Sequence, residues 1–240
     1  MKIILASSSP RRRELLALAK VEFAVMRADI DERTLNQESP QDYIERMVES
    51  KAKVAISLIS DQYSQAESLA PLQTLGDDHT VLLLTADTIG ILPDGKTILL
   101  KPEDYEHALM MWQQMSGSTH QVCSAVQATL IDLVSVAPTA PINQSTHHVM
   151  PQIRWKKSIQ CSTEVTFVEL TEEQMHRYWS SGEPCDKAGG YAIQGGAAAW
   201  VESIHGSYTN VVGLPLAQTL ALIEEARLIA NGRSLPTDNE

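Results

Sequence analysis

The chain has 240 residues, 43% of them hydrophobic and 20% charged, which is the composition of a globular protein large enough to bury its own core. Its formal charge of −11 argues against nucleic acid and anionic membrane surfaces as partners. Its three cysteines have no metal-binding spacing, and no apolar run is long enough to span a membrane, so we expect a cytoplasmic protein.

Positive charge is concentrated at the amino-terminal end. Residues 1–33 hold seven Lys or Arg and five Asp or Glu, whereas the remaining residues hold twelve and twenty-five. A short apolar strand over residues 2–6 is followed by three serines and a helix that begins at Pro10. Arginines 11–13 fall in its first turn, where the helix dipole disfavours cations. This arrangement is typical of a phosphate site, although a solvated basic turn is the alternative.

Acidic residues alternate in the next segment, Asp29-Ile30-Asp31-Glu32. Their oxygens suit Mg²⁺ or Mn²⁺, and a solvated acidic loop is the alternative for each of them. A second helix is predicted from Pro40 to residue 58 or 59 by its apolar spacing. The polar residues 60–79 then indicate a loop or an insertion.

A buried strand is predicted over residues 80–87, where the apolar run ends in Asp87. A carboxylate in that position is costly unless it is paired, solvated or bound to a metal, although an aspartate that forms a turn is the alternative. The turn around residues 93–96 predicts that residues 88–92 pair with 97–100 as a hairpin.

The middle of the chain alternates helices and strands. An amphipathic helix is predicted over residues 103–116, and long strands over 119–134 and 155–170. Residues 135–154 between them indicate a long loop or insertion. A capping box at Thr171 opens a helix that continues to Gly182.

A glycine-rich loop follows over residues 183–196. Glycines let the backbone approach a ligand closely, Lys187 can reach phosphate, and the Gln194 amide can pair with a base edge. A tight connection without a ligand is the alternative. Two strands are predicted within residues 198–212 and a last helix over 215–230, which together indicate an α/β protein with a mixed sheet.

Eight segments follow one another in a characteristic order: ILASSSPRRRELL at 4–16, the acid Glu32, ESKAKV at 49–54, ADT at 86–88, LLKP at 99–102, MSGSTHQV at 115–122, EPCDKAGGYAIQG at 183–195 and VVGLPL at 211–216. Together they resemble the Maf family of nucleoside triphosphate pyrophosphatases over almost the whole chain. The resemblance implies an elongated mixed β-sheet flanked by helices, with two lobes and a central cleft. It also implies one catalytic domain over residues 1–240, enlarged by insertions near 60–79 and 135–154.

The resemblance also implies a site. Asp87 corresponds to the catalytic acid, and with Glu32 it is expected to bind the cofactor, a divalent cation such as Mg²⁺ or Mn²⁺. The positions tied to substrate choice are Arg11, Thr88 and Gln194. The positions expected to bind phosphate are Ser7, Arg12, Lys51, Lys101 and Lys187.

The forms SPRR, ADT and IQG resemble the branch of the family that acts on dTTP and UTP. The expected activity is therefore hydrolysis of a small nucleotide substrate to the monophosphate and pyrophosphate, and modified pyrimidine nucleotides are included. One alternative is a nucleotide-binding regulator of cell division with incidental hydrolysis. Another is a pyrophosphatase of the same fold that prefers 7-methyl-GTP or a purine. A homodimer is expected by resemblance alone.

Overall fold

The computed structural model of the chain describes residues 1–64, 79–136 and 148–233. Its strands are β1 (Lys2–Ala6), β2 (Ala24–Met26), β3 (Thr80–Ile91), β4 (Ile98–Leu99), β5 (Thr119–Val136), β6 (His148–Phe167) and β7 (Val201–His205). Its helices are α1 (Pro10–Leu18), α2 (Pro40–Ser64), α3 (Tyr105–Met115), α4 (Glu172–Trp179), α5 (Tyr208–Val212) and α6 (Leu216–Ala230). Short 3-10 turns occupy Glu183–Asp186, Ala188–Gly190 and Gly196–Trp200.

The described strands form one mixed sheet in the order β2-β1-β3-β5-β6-β7, with β4 paired to part of β3. β1 is parallel to both of its neighbours, because α1 and α2 supply the crossovers that parallel strands need. β3, β5 and β6 are antiparallel, and the β5–β6 pair extends from Thr119 and Thr166 to Val136 and His148, with a bulge that shifts the register between Leu130 and Ile131. The sheet with its flanking helices confirms the predicted α/β class.

Apolar side chains cover both faces of β1 and β3, which explains why these strands read as continuous hydrophobic runs. On one face Leu5 and Leu84 pack with Leu222 of α6, and all three are almost fully buried. On the opposite face Leu83 packs with Ile59 of α2. This half of the sheet forms the first lobe.

Aromatic rings dominate the other lobe, where α3, α4 and the 3-10 turns meet β5 and β6. The Trp200 ring centroid lies 5.2 Å from Trp112 and 4.7 Å from Tyr178, in edge-on arrangements. Phe167 and Tyr191 are 5.0 Å apart. Edge-on contacts at these distances add to the stabilisation from burial, so this lobe is a packed core of its own.

Several predicted boundaries are wrong. α2 continues to Ser64 instead of ending near residue 59, so part of the supposed loop 60–79 is helical, and residues 65–78 lie outside the described residues. Likewise β5 and β6 extend into the supposed loop 135–154, of which only 137–147 lies outside the described residues.

The long β6 strand tolerates Pro151 because of its place in the sheet. Pro151 pairs with Leu133 on the β5 side, whereas β7 pairs only with Glu164–Phe167 among the described residues. Proline lacks an N–H, and it is accepted where a strand forms the edge of a sheet. The strand ends at Phe167, three residues before the predicted end.

Two short elements were also predicted wrongly. The second strand expected within residues 198–212 is the helix α5, whose N-cap Ser207 accepts a hydrogen bond from Asn210 N at 3.3 Å. The cap outweighs the strand preference of the β-branched residues that follow it. β2 was not predicted, because three residues are too few to show an alternating pattern.

None of the helices in the described ranges is long and apolar enough to cross a membrane.

Candidate active site

A cleft of about 810 Å³ lies between the two lobes. Its walls come from the loop after β1, the segment after β2, the first turn of α1, the first half of α2, the second half of β3, β4 with the segment after it, the loop that follows α4 and the end of α5. All ten residues predicted for the site line this cleft: Ser7, Arg11, Arg12, Glu32, Lys51, Asp87, Thr88, Lys101, Lys187 and Gln194. Folding thus brings together side chains that are up to 187 positions apart in the sequence.

Asp87 lies within β3 and not at its end, which corrects the predicted strand of residues 80–87. β1 ends at Ala6, which pairs with Thr85, while β3 continues and pairs Asp87 with Ala125 of β5. Beyond Thr85, β3 has no β1 residue paired beside it, and this part of β3 lines the cleft. The same step in the sheet opens space for the serine loop and the first turn of α1.

Lys51 joins the two acidic side chains of the site. Its Nζ lies 2.9 Å from Asp87 Oδ1 and 3.1 Å from Glu32 Oε1. The Lys51 and Asp87 side chains are only 11% and 14% exposed, whereas Glu32 is 51% exposed. Each partly buried charge thus has an opposite charge beside it, which offsets the cost of removing it from water.

Arg12 is buried beneath the cleft and bonded to protein groups on several sides. Its Nε donates to Gly213 O at 2.9 Å, and Nη1 donates to Ala86 O at 2.8 Å and to Ser7 Oγ at 3.2 Å. Its Nη2 donates to Thr88 Oγ1 at 3.1 Å and lies 3.6 Å from Asp87 Oδ1. Burial lowers the pKa of Arg12, and the Asp87 charge opposes that shift.

These bonds occupy all three nitrogens of the Arg12 guanidinium. The side chain therefore holds the cleft floor together beside Asp87. The phosphate binding predicted for Arg12 stays a prediction. Arg11, its neighbour in the chain, also lines the cleft and is less buried than Arg12.

The Thr88 hydroxyl is also engaged with protein groups. Besides accepting from Arg12, it lies 2.9 Å from Ser124 Oγ and donates to Gly213 O at 3.2 Å. Ser124 in turn donates to Asn210 O at 3.1 Å. Thr88 thus connects β3 with β5 and with the α5–α6 corner.

Sequence reasoning missed three residues that support the floor. Asn210 is fully buried, and its Nδ2 donates to Val122 O and Thr163 Oγ1, each at 2.9 Å. Ser124 and Gly213 complete the contacts to Thr88 and Arg12. Gly213 lies in the quoted segment VVGLPL, but a sequence pattern does not show that its carbonyl meets side chains more than 120 residues away.

Tyr43 of α2 was also missed, although it lines the cleft. Its hydroxyl donates to Glu32 O at 2.8 Å and so fixes the segment that carries Glu32. Burial and the charges of Asp87 and Glu32 raise the pKa of Tyr43 to about 12. The hydroxyl therefore keeps its proton at neutral pH, as this bond requires.

The opposite wall carries Lys101, Lys187 and Gln194. Lys101 and Gln194 are exposed at the rim, whereas Lys187 is half-buried and donates from Nζ to Glu183 O at 3.0 Å. This wall is formed by the segment after β4 and by the glycine-rich loop. It lines the same cleft as Glu32 and Asp87.

The acidic pair fits a divalent cation that is bound partly by substrate. In the described ranges, no three His, Cys, Asp or Glu residues cluster as a complete metal site. Mg²⁺ commonly uses one or two carboxylates together with phosphate oxygens and water. Glu32 and Asp87 supply two such carboxylates, close enough to share one ammonium group.

Comparison with known proteins agrees with the geometry. A family model described as Maf-like protein matches residues 2–226. The chain is 54% identical over 225 residues to proteins named dTTP/UTP pyrophosphatase from Psychrobacter arcticus and Psychrobacter cryohalolentis, covering 94% of this chain and 95% and 97% of theirs. A protein of the same name from Hahella chejuensis is 36% identical over 224 residues, which are 93% of this chain and 92% of that protein.

Proposed function

The chain belongs to the Maf family, and from that premise we propose that it hydrolyses dTTP and UTP to the nucleoside monophosphate and pyrophosphate. The observation that carries the proposal is that relatives named for this activity match nearly the full chain, whose cleft gathers three carboxylates and several cations. We extend the proposal to the domain organisation, in which residues 1–240 form one catalytic domain.

The positive groups of the cleft suit a triphosphate. Transfer at phosphorus depends mainly on positioning and on neutralising the charge of the phosphate oxygens. Arg11, Lys101 and Lys187 reach the cleft from three different segments. We assign them to the triphosphate, with Lys51 beside the acidic pair and Ser7 at the amino-terminal end of α1.

Asp87 is the proposed catalytic carboxylate. Lys51 and Arg12 hold its Oδ1 from two sides, so its orientation is set before a substrate binds. A carboxylate held in this way can accept the proton of the water that attacks the α-phosphorus. The bond from phosphorus to the bridging oxygen then breaks, and pyrophosphate leaves.

Glu32 and Asp87 would hold Mg²⁺ or Mn²⁺, which supplies additional positive charge to the phosphate oxygens. Tyr43 supports this arrangement because it fixes the backbone of Glu32. The acidic pair keeps its spacing through Lys51.

Base selection is assigned to the rim of the cleft. The exposed Gln194 amide offers a donor and an acceptor, which match the alternating groups on the edge of thymine or uracil. We assign Arg11 to the same selection. Because the Thr88 hydroxyl is engaged with Arg12, Gly213 and Ser124, Thr88 would act on selection by shaping the floor.

The three cysteines are free thiols, which supports a reducing compartment such as the cytoplasm. There the enzyme would remove pyrimidine triphosphates, including modified ones, and a homodimer remains part of the proposal.

The test is a panel of triphosphates with Mg²⁺ or Mn²⁺, in which pyrophosphate and monophosphate are both quantified. We expect release of pyrophosphate from dTTP and UTP well above that from dCTP, ATP, GTP and 7-methyl-GTP.

Asp87→Asn should lose at least about 100-fold in kcat, because the amide keeps the shape but cannot take a proton. Glu22→Gln, an exposed acid outside the cleft, is the control. Absence of pyrophosphate from dTTP and UTP, or full activity of Asp87→Asn, would contradict the proposal.

A further inference from the structure

We propose that Glu183 is a positioning residue that holds the loop over residues 183–196 in place, and that it thereby sets the preference for one base over another. The proposal deepens the proposed function, since it concerns how the same cleft selects its nucleotide. In the described part of the chain Glu183 does not line the cleft, whereas Lys187, Tyr191 and Gln194 of its loop do. Its effect on substrate must therefore pass through the loop.

The Glu183 carboxylate connects the end of the loop to helix α4. Tyr178 Oη donates to Glu183 Oε1 at 2.8 Å, and Gly196 N donates to Oε2 at 3.0 Å. The Glu183 carbonyl accepts the 3.0 Å bond from Lys187 Nζ. One residue thus contacts α4, the backbone just beyond Gln194 and a cation of the cleft.

Tyr178 extends this connection to the other side of Gln194. Its Oη accepts a hydrogen bond from Ala192 N at 3.1 Å while it donates to Glu183. Its ring is 7% exposed and packs against Trp112 and Trp200. Burial and the Glu183 carboxylate raise the pKa of Tyr178, so the hydroxyl keeps the proton that it donates.

Gly195 is the position where the carboxylate meets the loop backbone. A Cβ placed on Gly195 would lie 1.9 Å from Glu183 Oε1, far closer than two such atoms can approach. The carboxylate therefore occupies the space that a side chain at 195 would need. A glycine directly after Gln194 is required by this contact and not by turn geometry.

Gln194 is consequently held between two anchored backbone groups, Ala192 N and Gly196 N. Its side chain is exposed, so the direction of the amide depends on the backbone that carries it. Recognition by hydrogen bonds loses discrimination when the donor and acceptor are not held in place. The Glu183–Tyr178 connection is thus the feature that gives an exposed glutamine a defined direction.

The test compares kcat and KM for dTTP and dCTP in wild type, Glu183→Ala, Glu183→Gln and Tyr178→Phe. Asp87 lies on β3 and Lys51 on α2, outside this loop. In Glu183→Ala and Tyr178→Phe we therefore expect kcat for dTTP to stay within about threefold of wild type, while KM rises about tenfold. The preference for dTTP over dCTP in kcat/KM should fall about tenfold in Glu183→Ala and in Tyr178→Phe. Glu183→Gln keeps one acceptor oxygen and should restore part of the preference. Glu173→Gln, an exposed acid on α4 outside the connection, should match wild type.

Gly195→Ala is a second route to the same state, since it displaces the carboxylate while Glu183 is kept. It should reproduce the loss of preference, and it carries the test if Glu183→Ala does not fold. Folding of each variant is checked by its melting temperature. An unchanged preference in folded Glu183→Ala, or a loss confined to kcat, would overturn the inference. Wild-type protein that releases no pyrophosphate from dTTP would instead contradict the proposed function.

Discussion

Single residues show how the cleft is held in shape before any substrate enters. Arg12 joins the first turn of α1 to β3 through Ala86 O and to the α5–α6 corner through Gly213 O. These acceptors lie 74 and 201 positions away in the sequence. A buried guanidinium stabilises the folded protein only while its hydrogen-bond and charge partners are present. Removing either Arg12 or Asp87 would therefore leave the other as a buried charge with one partner fewer.

Arg12→Met should therefore destabilise the protein by about 3 kcal/mol, because two carbonyls lose a charged donor and Asp87 loses a counter-charge. Arg11→Met, the adjacent change, should cost less than about 0.5 kcal/mol. Urea unfolding followed by circular dichroism measures both. Equal stability of the two variants would show that Arg12 does not hold the floor.

His120 is a titratable group that is buried in the aromatic lobe. It is fully buried, its Nε2 lies 2.7 Å from Tyr191 Oη, and its ring packs edge-on against Phe167 at 4.8 Å. Burial lowers the pKa of His120 to about 4 from the 6.5 of an exposed histidine. The unfolded chain therefore binds this proton more readily than the folded protein does.

The resulting stability is present above pH 6.5 and is lost as the pH falls toward 4. Between pH 7.5 and pH 5 we expect this one group to cost wild type roughly 2 kcal/mol. Urea unfolding at both pH values measures the loss, and His120→Gln should show a loss smaller by that amount. Only the change in unfolding free energy between the two pH values is compared, so a cost of the substitution that does not depend on pH cancels. Parallel slopes in the two proteins would contradict the assignment.

At the scale of elements, the two walls of the cleft are positioned in different ways. β3 continues beyond the end of β1, and Asp87 therefore lines the cleft from within a strand that is still paired with β5. The opposite wall lacks regular strands in its described residues and depends on α4, which carries Tyr178. The start of α4 is fixed by a reciprocal cap, since Thr171 Oγ1 accepts from Gln174 N and Gln174 Oε1 accepts from Thr171 N.

Thr171→Ala should cost about 1 kcal/mol in unfolding free energy, because an N-cap acceptor is lost from a helix of only eight residues. Thr171→Ser keeps the hydroxyl and should stay near wild type. Chemical unfolding measures the difference. If both variants were equally stable, the cap would contribute nothing and α4 would be held by packing alone.

At the scale of the whole molecule, the net charge is −11, yet the cleft between the lobes is rich in cations. Cations from four separate segments line it, namely Arg11, Lys51, Lys101 and Lys187. A triphosphate that contacts both walls would link the lobes. A ligand that binds the folded state and not the unfolded chain raises the stability of the folded state.

We expect dTTP at 100 times its dissociation constant to stabilise the Asp87→Asn variant by about 2.7 kcal/mol. The variant is used because it should not consume the ligand during the measurement. The melting temperature with and without dTTP measures the effect, and thymidine at the same concentration should give almost none. Because the attraction is electrostatic, the shift should shrink as sodium chloride is raised. An equal shift with thymidine would show that the phosphates do not drive binding.

The sequence alone predicted the features that depend on neighbouring residues. Pro10 and the serines before it marked α1, the capping box at Thr171 marked α4, and the turn at residues 93–96 marked the β3–β4 hairpin, which the pairing of Gly90 with Leu99 confirms. These signals are local, because a cap or a turn is completed within four residues. The family resemblance carried by the order of motifs also named ten of the residues that line the cleft.

Only the tertiary structure decided what those side chains contact. Lys51 bridges Glu32 and Asp87, Arg12 is engaged with the floor, and Glu183 holds the loop of Gln194. Each of these outcomes depends on a hydrogen bond or an ion pair between distant segments or across a folded loop. Such bonds form only when the sheet brings their partners together, and no periodicity in the chain records them. The sequence therefore determines which residues form the site. The packing of the two lobes decides which of these residues are free to bind substrate and which hold other residues in position.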